Sequence, residues 1–63
     1  MKTVRQSLNA LARQHSFGWQ QADANHVAKL CGDRGYDVDE GNASADDIAR
    51  QLACEYEATG GIA

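Results

Sequence analysis

Apolar side chains return at steps of three and four residues in three separate stretches of this chain, and each stretch ends at a glycine or a polar break. That periodicity marks amphipathic α-helices, each of which must hide one stripe against a neighbour. The first stripe is Val4, Leu8, Leu11 and His15, with Arg5, Gln6, Asn9 and Arg13 largely off it. Thr3 stands three positions before Gln6, where each side chain can satisfy the other's backbone N–H in a capping box, so a helix is predicted over 4–15. His15 is its expected last core-edge residue. Ser16, Phe17 and Gly18 then break the pattern, Gly18 being free to turn left-handed.

A second helix is predicted from about Gln20 to Cys31, with Ala24, Val27, Ala28 and Cys31 on one face, Trp19 packed back onto its first turn and Gly32 as its C-cap. The third begins at Ser44, whose hydroxyl can cap, with Asp46 and Asp47 at the positive end of the helix dipole. Ile48, Leu52 and Tyr56 repeat every four residues, Ala45, Ala49 and Ala53 widen the stripe, and Gly60-Gly61 ends it. Residues 33–43 have no helical period. Gly35 and Gly41 interrupt them, and Tyr36 and Val38 alternate with Asp37 and Asp39, as in an acidic, partly extended loop anchored by Tyr36 or Val38 turned inward. The fold class expected is all-α, a small three-helix bundle forming a single domain over 1–63.

With 63 residues the chain has material for one thin core. A cleft of the roughly 300 Å³ that small-molecule sites need is not expected in so thin a bundle, and catalysis is disfavoured with it. No apolar run reaches the about 18 residues that span a bilayer, and the N-terminus lacks a signal-peptide core, so a cytoplasmic location is expected. Cys31 and Cys54 are too few for a disulfide scaffold, and both are read as small apolar residues on helix faces.

Catalytic and metal motifs are missing. An EF-hand register started at Asp37 puts Asn42 at the glycine position and Ile48 at the bidentate glutamate, and one started at Asp33 fares no better. His15, His26, Cys31 and Cys54 lack the paired spacing of a zinc site. There is no phosphate-binding glycine loop, and no nucleophile stands beside a base and an orienting group. No cofactor is expected. A helix-turn-helix reading is open to helices 1 and 2, with Gln20, Gln21, Asn25, His26 and Lys29 exposed on the second, yet few basic residues are available to neutralise phosphates.

Charge carries more. Residues 1–31 sum to +3 and residues 32–63 to −6, an asymmetry that suggests an electrostatically guided partner. Asp33, Asp37, Asp39, Glu40, Asp46 and Asp47 fall within 15 residues opposed only by Arg34. Spread over a loop and a helix start, they can present carboxylates at phosphate-like spacings to a groove of Arg and Lys, with Tyr36 as an aromatic anchor.

In size, helical character and clustered carboxylates the chain resembles the small anti-CRISPR proteins of phages and mobile elements, some of which are DNA mimics. The likeness is one of character over the whole chain, without a shared motif, so no residue is carried over by position. It implies a cytoplasmic inhibitor whose partner is a basic nucleic-acid-binding complex of a bacterial host. Two other readings stand beside it: a small DNA-binding regulator using helix 2, and a structural or adaptor module that forms a homodimer through a helix face.

Overall fold

Thr3 caps the first helix as its spacing predicts, its hydroxyl accepting from the Gln6 N–H at 3.1 Å while the Gln6 side chain accepts from the Thr3 N–H at 2.9 Å. The computed structural model describes residues 1–60 and gives three helices over them, α1 (Val4–Arg13), α2 (Gln21–Asp33) and α3 (Ala45–Ala58), all packed against one another with no strand. The expected all-α three-helix bundle is what the described residues form.

Two helix ends differ from the sequence reading for the same physical reason. A helix stops where a residue goes left-handed and its amide turns back to satisfy the last free carbonyls. In α1 that residue is His15, at φ +53°, whose N–H bonds the Ala12 carbonyl. The helix therefore ends at Arg13, and His15 is exposed in the turn instead of continuing the core stripe. In α2 it is Gly35, at φ +95°, not Gly32. Gly35 donates to the Gly32 carbonyl and Tyr36 to the Cys31 carbonyl, a complete Schellman closure. Gly32 thus lies inside the helix, and Asp33, placed in the loop by its sequence context, is the last helical residue. Gly60, at φ +84°, closes α3; Gly61, the other half of the expected stop, lies outside the described residues.

The core is Val4, Leu8, Leu11, Trp19, Val27, Cys31, Val38, Leu52 and Tyr56, interleaved with alanines that let the helices approach closely. Complete burial of a side chain such as Leu8 contributes about 1.5–3 kcal/mol, so a handful of residues carry most of the apolar stabilisation. Phe17 does not join them and is 48% exposed. Cys31 is buried as expected, whereas Cys54 is exposed on α3, because its position falls off the Ile48–Leu52–Tyr56 stripe. Neither is bridged.

The segment between α2 and α3 is stitched to the start of α1. The Arg5 N–H donates to the Val38 carbonyl, the Asn42 N–H donates to the Lys2 carbonyl, and Thr3 and Gly41 form an isolated antiparallel bridge. Of the two possible anchors, Val38 is turned in and Tyr36 is 42% exposed. At Gly41 the chains approach closely, and a Cβ there would lie 3.2 Å from that of Met1, which would have to give way by a few tenths of an ångström. Ser44 precedes α3 without capping it by side chain. Its backbone sits near φ −100°, ψ 19°, outside the extended region from which a hydroxyl reaches the third amide.

Candidate functional site

The carboxylates singled out by sequence lie at the end of α2 (Asp33), in the loop (Asp37, Asp39, Glu40) and in the first turn of α3 (Asp46, Asp47), and all are exposed. They are not opposed by Arg34, which pairs with Glu55 at 2.7 Å. The fold lays the basic start of the chain on the acidic segment instead. Arg5 grips Asp39 with two guanidinium contacts at 2.7 and 3.4 Å, and Lys2 meets Asp46 at 3.3 Å. The part-buried Ser7 hydroxyl also donates to Asp46 at 2.7 Å. The hydrogen bond from Arg5 holds the Asp39 carboxyl below its ordinary range, and those from Ser7 and then Lys2 do the same for Asp46.

Asp39 and Asp46 are therefore structural staples as well as charges. Asp37 accepts the Asp39 N–H at 3.0 Å, an Asx turn that shapes the loop tip, and among the described residues no cation pairs with it. Among the described residues Asp33, Glu40 and Asp47 make neither a side-chain hydrogen bond nor an ion pair, and the Tyr36 ring stands beside Asp37 in the chain, partly exposed. Asp33, Tyr36, Asp37, Glu40 and Asp47 are thus the exposed members of the predicted set that hold no cation among the described residues, and of these Tyr36, Asp37 and Glu40 belong to the segment stitched to α1.

A second cluster lies where the α1–α2 turn meets the end of α3. The buried Trp19 indole donates from Nε1 to Glu57 at 3.0 Å and stands edge-on to Tyr56, with ring centres 5.8 Å apart. The Tyr56 hydroxyl donates to Asp23 Oδ1 at 2.9 Å, while Asp23 Oδ2 accepts the Gln20 N–H at 2.8 Å at the head of α2. These two bonds, the Gln20 one first, hold Asp23 below its usual carboxylate range, and burial, followed by the bond to Asp23, pushes Tyr56 up. Sequence reasoning placed Trp19 and Tyr56 in the core but missed their polar partners. Separations of 33 and 38 residues leave no local signal of such pairing.

The polar face of α2 is partly self-occupied, since the Gln21 amide donates to both Asn9 and Asn25. Along the outer face of α1, Met1, Lys2, Gln6, Ala10 and Arg13 line a groove of about 520 Å³. It reaches the volume of a ligand site but is open and shallow, so it does not enclose a small molecule as such sites do. Among the described residues no three His, Cys, Asp or Glu side chains come together as metal ligands would, and no helix is long and apolar enough to cross a membrane. Compared with protein-family models, with curated proteins and with solved structures, the chain finds no match.

Proposed function

We propose that this chain is a protein-binding inhibitor that sets its acidic loop and the start of α3 against a basic, nucleic-acid-binding surface of a bacterial host complex, in the manner of a DNA-mimic anti-CRISPR protein. One observation carries the reading. Backbone bonds to Lys2 and Arg5 fix the loop, while the carboxylates of Asp33, Asp37, Glu40 and Asp47 have no cation of their own. A mimic gains from this arrangement because ordering a mobile loop on binding costs affinity, and a loop already held loses little. Unmatched surface charge steers encounter with a basic groove, and Tyr36 adds a rigid aromatic contact at its edge. Asp39 and Asp46, each beside its own cation, add less net charge to that surface.

The test is competition. A purified CRISPR surveillance complex is titrated with labelled target duplex at several concentrations of this protein. The expected outcome is displacement of duplex, weakening as salt rises. Replacing Asp33, Glu40 and Asp47 together by lysine should leave the helical circular-dichroism spectrum intact and reduce competition at least about tenfold, a loss of about 1.4 kcal/mol. Full competition by that variant would sink the acidic surface as the contact. No competition by the unaltered protein would sink the mimicry.

A further inference from the structure

The turn between α1 and α2 is the strained part of the backbone, with His15 at φ +53°, Phe17 at φ +59° and Gly18 at φ +74°. Only the glycine suits that region; at each of the other two the Cβ costs about tenfold in the population of the turn. The turn persists because both of its ends are fixed. Ala12 accepts the His15 N–H where α1 stops, and Trp19 is buried, its indole bonded to Glu57 at 3.0 Å and its ring edge-on to Tyr56. Phe17 gains little burial in return for its conformation, being 48% exposed.

What this turn holds closed is α1. That helix packs on both of the others through Val4, Leu8, Leu11 and Ala12, and its start ties the acidic segment through the Arg5 N–H to Val38, Arg5 to Asp39, and Lys2 and Ser7 to Asp46. None of these contacts depends on which molecule supplies α1. Opened and extended, residues 14–18 reach about 17 Å, and the smallest dimension of the molecule is 16 Å. An opened turn is therefore long enough to carry α1 clear of its own bundle. Two molecules in that state each offer the other the place their own α1 has left, and exchanging the helices remakes the core and closes the pair.

We propose that two copies of this chain exchange α1 through the strained turn, so that the acidic segment of each is held by Lys2, Arg5 and Ser7 of the other. The occupant follows from the fold, because a second copy's α1 is identical to the helix it replaces. Two terms decide the balance. Strain in a short hinge favours exchange, and it is relieved in both copies; the link between α1 and its own bundle opposes it, as an effective concentration of millimolar order. The carboxylates keep their places in the exchanged pair, so the proposal neither requires nor excludes the inhibitor reading.

Because α1 must leave the core before it can exchange, the pair forms on refolding and is slow to separate. Two differently isotope-labelled samples of the full chain are unfolded together in urea, refolded at about 1 mM and separated by size. Isotope-filtered NMR then reads the contacts between copies. The expected result is a dimer in which Thr3 of one copy lies against Gly41 of the other, the bridge that the closed molecule makes within itself. A chain that refolds only as monomer overturns the proposal, as does a dimer whose Thr3–Gly41 contacts stay within one copy. Two turn variants test the cause. Phe17→Gly removes strain and should weaken dimerisation at least about tenfold. Gly18→Ala, where a Cβ meets nothing within 4 Å but φ is +74°, adds strain and should strengthen it at least about tenfold. Equal dimer fractions in the two variants overturn the proposal, and the contacts read on the unaltered chain do not depend on how either variant folds.

Discussion

Asp23 does two jobs with one carboxylate. One oxygen takes the Gln20 amide and starts α2, and the other takes the Tyr56 hydroxyl and holds α3 against it. Asparagine has the same shape but a single acceptor oxygen, so its NH2 group must face a donor. Asp23→Asn is therefore expected to lower the melting temperature by several degrees in a domain of this size, and Tyr56→Phe by less, as read by thermal circular dichroism. The start of α2 near Gln20 was legible, but neither role of Asp23 was: glutamine is not a preferred cap, and nothing near Asp23 in the chain points to Tyr56. His15 and Phe17 were illegible for a different reason: both have side chains that disfavour positive φ, so local preference argued against the conformation that the packing of Trp19 imposes.

At the scale of the element, the two glycines of α2 make a paired test. Gly32 follows the last periodic apolar residue, Cys31, and so reads as the cap, yet it is helical with nothing within 4 Å of where a Cβ would stand. Gly32→Ala is expected to stabilise the fold by up to about 1 kcal/mol. Gly35→Ala, at φ +95°, is expected to destabilise it by about 1 kcal/mol or more. Urea denaturation of both variants measures the pair, and equal losses would contradict the closure at Gly35. The capping box of α1 needed no structure to find, because it is a local pattern within four residues, and Thr3→Ala should cost about 1 kcal/mol in the same assay. The loop was legible only as a break in period. That Val38 anchors it and α1 holds it depends on backbone bonds spanning more than thirty residues.

For the whole molecule, a chain of 63 residues has a stability of about 3–9 kcal/mol, and Leu8→Ala, at a fully buried site, should remove about 2–5 of it. Calorimetry should find the melting temperature of that variant lowered by about 10 °C or more. The pH range of the fold has two identified limits. Asp23, Asp39 and Asp46 have carboxyls lowered below 3.8, so the stability they contribute is full above that value and is lost as pH falls through their depressed folded values. Tyr56 is raised above 10.0, so its contribution is full below that value and is lost as pH rises through its folded value. Burial raises the Cys31 thiol above 9.0, so its contribution too is full below that value and is lost as pH rises. Melting temperatures across pH should show a plateau between the acid and alkaline limits, and Tyr56→Phe should make the alkaline fall shallower. The charge asymmetry between the two halves was plain in the sequence, but its destination was not. Folding brings Lys2 and Arg5 onto Asp46 and Asp39, pairs Glu55 with Arg34, and among the described residues leaves Asp33, Asp37, Glu40 and Asp47 without a paired cation. Because Val38 and Asn42 are held to α1 through main-chain atoms, the outward side chain at 40 has little part in keeping the loop anchored, whereas that at 37 also shapes the loop tip. Substitution at position 40 can therefore rewrite the chemistry of that surface while the scaffold stays as it is, which lets a protein engineer retarget the loop without redesigning the bundle.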